Sequence, residues 1–290
     1  MYDYLITTES TGDMSAEHMR SLGVDVIRME YFVDGGAPIQ DDMIAQSAFD
    51  IFAKMRQGSV VTTALVTNAR FVDFWKPMLE AGHDILHISF SSALSGTINC
   101  ARMAAEELKE SYPDRTILVV DSLAASGGQG LLVEHAVMQK NNGLSQQELF
   151  DWVEKNRLSV QHWFTVEDLE YLRRGGRVSS VAAFVGSMLK IKPVLHVDNQ
   201  GRLIPKEKVN GRLASIKNMA AKVNATIDLE NNPVVYICHA DAKADAEKLR
   251  DLILAAHPEV NIQFSFIGTV IGAHSGPGTL AVFYRGTGRE

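Results

Sequence analysis

Several hydroxyl-bearing residues and one glycine follow a predicted strand in the stretch from Ile85 to Thr97. The turn after the apolar run contains Ser91, Ser92, Ser95, Gly96 and Thr97. A helical pattern begins near Thr97, so its first N–H groups and partial positive charge would face this turn. Such a turn can bind a carboxylate or a phosphate, with the hydroxyls as donors and Gly96 allowing close approach. The alternative is that Ser95 or Thr97 only caps the helix.

Two further clusters carry groups that suit an anionic ligand. The stretch from Ile271 to Gly278, IGAHSGPG, predicts a tight loop with an imidazole, His274, between the last two strands of a closing hairpin. The stretch from Tyr171 to Arg177, YLRRGGR, has three arginines beside two glycines. These arginines can be a solvated helix end, or they can dock carboxylates or phosphates.

Other chemistry remains open for the same residues. Ser95, His274 and Asp121 have the types of a nucleophile, a base and an orienting carboxylate, as in a serine-dependent acyl hydrolase or transferase. Ser95 lacks the G-x-S-x-G sequence that usually presents such a serine. A module that binds a phosphorylated metabolite is a further alternative, although the sequence has no G-x-x-x-x-G-K-[ST] motif. We expect no metal site and no cofactor.

The first half of the chain alternates between apolar runs of strand length, polar turns and helical patterns. The apolar runs are Tyr4–Thr7, Val24–Met29, Ile85–Phe90 and Thr116–Val120. Repetition of strand, turn and helix predicts a Rossmann-like α/β domain with a parallel sheet, which we place at residues 1–143. Ligands of such sheets bind beyond the carboxyl ends of the strands.

The second half has longer strands that suggest antiparallel pairing. Lys192–Val197 is joined to Leu203–Val209 through a turn at residues 198–201. Ser145 and Glu148 have the spacing of a capping box that opens a new helix just after Gly143. We therefore predict a second, α+β domain with an antiparallel sheet at residues 144–290.

Composition excludes several classes of protein. The 290 residues are 46% hydrophobic, which is enough for a substantial core. The formal net charge of -7, with charges interspersed along the chain, argues against nucleic-acid binding. The start of the chain lacks a secretory signal, and the most apolar segment, Val178–Leu189, is too short to span a membrane. With only Cys100 and Cys238, we expect a soluble cytoplasmic protein.

Four short motifs in one order resemble the DegV family of bacterial fatty-acid-binding proteins over nearly the whole chain. The motifs are SSALSGT (91–97), DSLAASGGQG (121–130), YLRRGGR (171–177) running into LKIKPVL (189–195), and AHSGPG (273–278). The resemblance implies a two-domain fold and a long-chain fatty acid held between the domains. It also implies presentation of the acid to a separate fatty acid kinase, which phosphorylates the carboxyl group for phospholipid synthesis. On this basis the protein is a carrier rather than an enzyme, with transient contact to a membrane surface.

The resemblance also assigns roles to individual residues. It implies that the carboxylate is bound by Thr62, Ser95, Gly96, Thr97 and His274. It also implies that the kinase docks on Arg173, Arg174 and Arg177. The walls of the acyl tunnel are expected from apolar residues near these motifs, namely Phe184, Met188, Leu189 and Ile271. Two positions differ from the family pattern: its usual Thr-Ser-Gln-Pro-Ser reads TTALV at 62–66, and Glu9 stands where aspartate is usual.

Overall fold

The computed structural model describes residues 4–178, 191–230 and 233–289. The strands are β1 (Tyr4–Glu9), β2 (Val24–Ile27), β3 (Glu30–Val33), β4 (Ile39–Gln40), β5 (Val61–Ala64), β6 (Asp84–Ser89), β7 (Ile117–Asp121), β8 (Val160–Thr165), β9 (Ile191–Val197), β10 (Leu203–Asn210), β11 (Val234–His239), β12 (Asn261–Phe266) and β13 (Leu280–Arg285). The helices are α1 (Ala16–Ser21), α2 (Ala45–Arg56), α3 (Asn68–Glu80), α4 (Thr97–Ser111), α5 (Gly127–Asn141), α6 (Gln146–Asn156), α7 (Glu170–Gly175), α8 (Arg212–Thr226), α9 (Lys243–Leu254) and α10 (Thr269–Ser275).

The first half forms the predicted parallel sheet, with strand order β2-β1-β6-β7. Alternate residues of β6 face opposite sides of this sheet, as the period of a strand requires. Ile85 packs with residues of α3 and α4, whereas Leu86 and Ile88 pack with residues of α5 and α6. Helices therefore cover both faces, and the α/β expectation for this half is confirmed. Helix α6 begins with the predicted capping box of Ser145 and Glu148 and packs against β6 and β7.

The second half forms a separate six-stranded sheet, with strand order β10-β9-β8-β13-β11-β12. Its neighbouring strands are antiparallel except for β11 and β12, which are parallel. The sheet is therefore mixed, and it contains the predicted hairpin of β9 and β10. A third, small sheet of order β4-β3-β5 is antiparallel and belongs to the first half.

The prediction of a closing hairpin around His274 is wrong. Strands β12 and β13 are not neighbours, because β11 lies between them. Helix α10 occupies most of the connection, and His274 lies in its last turn rather than in a loop. The physical reason is the parallel pairing of β12 with β11, which leaves β13 to pair on the other side of β11. Among the described residues, no helix combines the length and apolar composition needed to cross a membrane.

Asp13 joins the two halves of the chain at the start of α10. Its Oδ1 accepts a hydrogen bond from the backbone N–H of Gly268 at 2.9 Å, and its Oδ2 accepts one from Ser126 Oγ at 2.5 Å. Burial raises the pKa of Asp13 well above its usual value, and the charge of the nearby Asp41 adds to this shift. The buried Asp13 carboxyl group therefore fixes the beginning of α10 against the beginning of α5.

A second tie between the halves lies at the turn of the β9–β10 hairpin. Ser91 Oγ donates a hydrogen bond to Gly201 O at 2.8 Å. Gly201 has a φ of +75°, and a Cβ atom there would lie 2.2 Å from Ser91 Oγ. Only glycine fits this close approach without strain. The turn that follows β6 is thus held by the second half of the chain.

Substitution of Asp13 tests the first tie. In Asp13→Ala, two buried donors lose their acceptor, so we expect unfolding free energy to fall by about 1–3 kcal/mol for each donor. Asp13→Asn keeps an acceptor for Gly268 without the buried charge. Because folding raises the pKa of Asp13, the parent loses stability as pH rises above the unfolded-state pKa. The stability of Asp13→Asn relative to the parent should therefore increase between pH 5 and pH 8.

Urea unfolding of the parent and both variants at the two pH values measures these differences. A relative stability of Asp13→Asn that falls with rising pH would contradict the buried, proton-binding role of Asp13.

Candidate functional site

An apolar cavity of about 280 Å³ lies between the two halves of the chain. The first half supplies Phe90, Leu94 and the end of β5 with the residue that follows it, and the second half supplies one face of its sheet together with α7 and α10. Three of the residues singled out in the sequence, Ser95, Gly96 and His274, line the cavity together with Thr63 and Arg177. Arg177 contacts Leu94, the residue before Ser95, and its charge acts on His274, which contacts Thr63, so these residues lie at one end of the cavity. Ile271 also lines it, in agreement with its expected place in a tunnel wall. Phe184, Met188 and Leu189 lie outside the described residues.

The turn that carries Ser95 is fixed by a buried glutamate. Glu9 accepts hydrogen bonds from Ser89 Oγ at 2.6 Å, Phe90 N at 2.9 Å and Gln129 Nε2 at 3.0 Å, and it lies 3.1 Å from His87 Nε2. Burial alone would raise the pKa of Glu9, but His87 and the hydrogen bonds outweigh burial and lower the pKa. Glu9 thus stays ionised and holds the end of β6, from which the hydroxyl-rich turn begins.

Ser95 can direct its hydroxyl hydrogen to a ligand. Its Oγ accepts from the backbone N–H of Thr97 at 3.2 Å and lies 2.9 Å from Thr97 Oγ1. Thr97 Oγ1 in turn accepts from the backbone N–H of Val66 at 3.4 Å, so its own hydrogen is available for Ser95. When Thr97 Oγ1 is the donor of this pair, Ser95 Oγ accepts both hydrogen bonds and the serine O–H is left for an acceptor in the cavity. Thr97 itself is fully buried behind Ser95.

His274 reaches the cavity from the last turn of α10. Its Nε2 lies 2.8 Å from Thr63 Oγ1. Burial, with a smaller contribution from the charge of Arg177, lowers the pKa of His274 to about 4. The imidazole is therefore neutral at neutral pH. If Nε2–H donates to Thr63 Oγ1, the threonine hydroxyl remains free to donate to a bound anion.

The two threonines of β5 face different surroundings. Thr63 lies beside His274 in the cavity, whereas Thr62 is exposed and lines a second, adjoining cavity of about 230 Å³. This difference follows from the alternation of side chains along a strand. The sequence motif singled out Thr62, and the structure places Thr63 against His274, in the cavity that Ser95 also lines. The second cavity shares Thr63, His274 and Arg177 with the first.

The three arginines after Tyr171 also differ in their contacts. Arg173 forms a two-point hydrogen bond with Glu170, and Arg174 lies over the ring of Tyr171 at the second cavity. Arg177 is exposed, and its Nε donates to Leu94 O at 3.3 Å and its Nη1 to Gly175 O at 2.5 Å. It therefore bridges the two halves beside the polar end of the cavity.

The geometry does not assemble the hydrolase alternative. The described partner of His274 Nε2 is Thr63, not Ser95. The Asp121 carboxylate accepts from the backbone N–H groups of Ser92 and Leu123, so it shapes the turn rather than orienting an imidazole. Within the described ranges, no cluster of three or more His, Cys, Asp or Glu side chains could hold a metal ion.

Comparisons with known proteins agree on one family. The model with the description "Uncharacterised protein, DegV family" matches residues 4–287. The chain is 39% identical to a DegV domain-containing protein of Clostridium perfringens, with 100% of both chains covered. It is 31% identical to a fatty acid-binding protein of Thermotoga maritima, with 95% of each covered. The solved structure that describes fatty acid binding of a DegV family protein from Thermus thermophilus has a TM-score of 0.86 at 29% identity, covering 98% of this chain and 99% of that one.

The charge of Arg177 should contribute to the low pKa of His274. Because the guanidinium disfavours a second positive charge nearby, Arg177→Ala should raise the pKa of His274 above its value of about 4. The pKa should stay below the usual 6.5, because burial is the larger cause of the shift. Titration of the imidazole signals by NMR, assigned with His274→Gln, measures the change. An unchanged or lower pKa in Arg177→Ala would show that the charge of Arg177 does not reach the imidazole.

Proposed function

The chain belongs to the DegV family, and we propose that it binds a long-chain fatty acid in the cavity between its two halves. One observation carries this proposal: an apolar cavity has hydroxyl donors and a helix N-terminus collected at one end. A fatty acid has the same distribution of chemistry, with one anionic end and a long apolar chain. The fatty acid binding reported for relatives from Thermotoga maritima and Thermus thermophilus supports the proposal.

The carboxylate fits the polar end of the cavity. We assign Ser95 as a donor from the first half and the Thr63–His274 pair as the second contact. The N-terminus of α4, with Gly96 at its N-cap position, adds backbone N–H groups and partial positive charge. These groups replace the water that a buried carboxylate loses. Without them the buried carboxylate would take up a proton. Thr97 acts behind Ser95 by directing the serine hydroxyl.

The acyl chain supplies most of the binding free energy. Removal of each methylene from water contributes about 0.8 kcal/mol, which is on the order of 10 kcal/mol for a common fatty acid. Association costs about 4–15 kcal/mol, so tight binding requires a preformed apolar cavity. The cavity walls meet this need with Phe90, Phe164, Ile271 and Phe283. No redox or group-transfer cofactor is part of this proposal.

We further propose that the protein presents the carboxylate to a fatty acid kinase. The second cavity adjoins the polar end of the first and is lined by Thr62, Arg174 and Arg177. A phosphoryl donor that approached from this side would meet two guanidinium groups, which suit phosphate oxygens. Arg173 lies on α7 beside Arg174 and is paired with Glu170 through a two-point hydrogen bond, whereas Arg174 approaches Glu170 only at 3.9 Å. This part of the proposal rests on the placement of the arginines together with the family resemblance.

Single substitutions at the polar end test fatty-acid binding. Ser95→Ala, Thr63→Val and His274→Ala should each weaken binding by about 1–3 kcal/mol, because each leaves a buried polar atom or the carboxylate without a partner. Thr62→Val is the matched control, since it removes a neighbouring hydroxyl that lies outside this cavity. Displacement of a fluorescent fatty acid gives the affinities. Parental affinity in all three site variants would place the carboxylate elsewhere. A loss of fatty-acid affinity confined to Thr62→Val would assign the contact to Thr62 instead of Thr63.

The kinase role predicts a separation of binding from phosphorylation. Arg177→Ala should leave fatty-acid affinity nearly unchanged, because the exposed guanidinium bonds to backbone carbonyls rather than to a buried carboxylate. Phosphorylation of the bound acid by a cognate kinase should fall roughly ten- to hundredfold, the effect of losing a charged hydrogen bond. Arg250→Ala, at a partly exposed arginine on α9, is the control. A folded Arg177→Ala protein that binds its acid and is phosphorylated at the parental rate would contradict the role of Arg177.

A further inference from the structure

The apolar cavity between the halves extends along helix α10. Ile271 and His274 are three residues apart, so they share one face of this helix, and both line the cavity. His274 lies in the last turn, where it meets Thr63 at the polar end. Gly268, at the beginning of the helix, is held by Asp13. The helical rise places Gly268 and His274 about 9 Å apart along the axis. The polar site is therefore at one end of α10, and the contact with Asp13 is at the other.

Strand β13 gives a second measure of the length of the cavity. Thr279, Ala281 and Phe283 alternate along the chain, so their side chains face the same side of the sheet, and all three line the cavity. Thr279 Oγ1 lies 2.9 Å from the carbonyl oxygen of Ser275, the residue after His274. Four residues of extended chain place Phe283 about 13 Å beyond Thr279. Phe283 is therefore at the end of the cavity opposite His274.

Phe283 and His162 together form this far end. They are directly opposite each other on β13 and β8, and their rings meet edge to face with centroids 5.3 Å apart. His162 Nδ1 donates to Val160 O at 3.1 Å, which fixes the imidazole. Burial, with a contribution from the charge of Arg289, holds the pKa of His162 well below its usual value, so the ring is neutral. A fixed, neutral ring supports Phe283 without bringing a charge to the end of an acyl chain.

The beginning of helix α5 closes this end from behind. A Cβ atom at Gly127 would lie 2.7 Å from Phe283 Cδ2, and one at Gly128 would lie 2.1 Å from His162 Nε2. The two glycines thus bring the helix backbone against both rings, where a larger residue would displace them. Asp13 binds the start of α5 and the start of α10, so the measures along α10 and along β13 end at the same wall.

We propose that Phe283, packed on His162, sets the longest acyl chain that the cavity accepts. The inference rests on the fatty-acid binding proposed above, and it adds a determinant of chain length to the carboxylate contacts. Each methylene that the cavity encloses strengthens binding about fourfold, because it is removed from water. An acid that is too long must displace a ring that α5 holds in place, or it must leave its carboxylate short of Ser95. Its affinity therefore falls.

The test measures the affinities of the even-numbered saturated acids from laurate to behenate for the parent and for Phe283→Ala. Affinity for the parent should rise with chain length to a maximum and then fall. In Phe283→Ala, removal of the ring opens space toward Cys238, the other side chain that a Cβ atom at Gly127 would meet. The acid with the highest affinity should then be longer by about two carbons or more, with roughly a fourfold gain for each methylene that enters the space.

Phe283→Leu removes less volume and is the milder form of the same change. It should raise the affinity of longer acids relative to shorter ones in the same direction, by a smaller factor. Because truncation of a buried phenylalanine to alanine lowers stability substantially, the leucine variant decides the test where the alanine variant does not fold. Urea unfolding of each ligand-free variant measures the stability.

Val282→Ala is the matched control. Val282 precedes Phe283 on β13, but its side chain faces the other side of the sheet, where it is fully buried in a separate part of the core. The substitution also leaves a void and lowers stability. It should nevertheless keep the parental order of affinities among the acids, because the cavity is unchanged.

The outcomes distinguish this inference from the function on which it rests. An unchanged dependence of affinity on chain length in the folded Phe283 variants would overturn the role of Phe283, while binding by the parent would still support the carrier function. An equal loss of affinity for every acid would also overturn it, because the ring would then support the site without limiting its length. The same shift in Val282→Ala would count equally against Phe283. A parent that binds none of the acids would overturn both the inference and the proposed function.

Discussion

The position of α10 against the first half of the chain is the constraint on which the polar site depends. The beginning of this helix is held by Asp13 through the backbone of Gly268, and its end is held where His274 meets Thr63. Because Asp13 also binds Ser126, the same carboxyl group fixes α5. A displacement of α10 would separate His274 from Ser95, which belongs to the first half. The site is therefore a property of the joined halves and of neither half alone.

The carboxylate site that we propose has no buried positive charge among the described residues. His274 is neutral because burial lowers its pKa to about 4, and the guanidinium of Arg177 remains exposed at the edge of the cavity. Hydroxyl groups, backbone N–H groups and the partial charge at the start of α4 are left to stabilise a carboxylate. Neutral donors do not need a partner charge when the cavity is empty of carboxylate, whereas a buried lysine or arginine would. This arrangement suits a protein that must release its ligand as well as bind it.

The sequence predicts the parallel sheet, the start of α4 at Thr97 and the capping box at Ser145, because each depends on a local pattern. It does not predict which threonine of β5 faces the cavity, since a shift of one residue reverses the faces of a strand and only its pairing with β3 decides the register. The sequence does not predict the helix at 269–275, because the glycines in and beside this segment usually indicate a loop. The contacts of Glu9 with His87, Ser89 and Gln129 join residues about 80 to 120 positions apart, so no local pattern reveals them. In each case, long-range packing decides what local propensity leaves open.

A crystal structure of the protein with palmitate tests the central claim most directly, because it locates both ends of the ligand. The account predicts a carboxylate oxygen within hydrogen-bond distance of Ser95 Oγ and the other close to Thr63 and His274, with the acyl chain running toward Phe164 and Phe283. Palmitate bound outside the cavity between the halves would contradict the account. So would palmitate in the reverse orientation, with its carboxylate at Ser126 and His162 and its methyl end at Ser95.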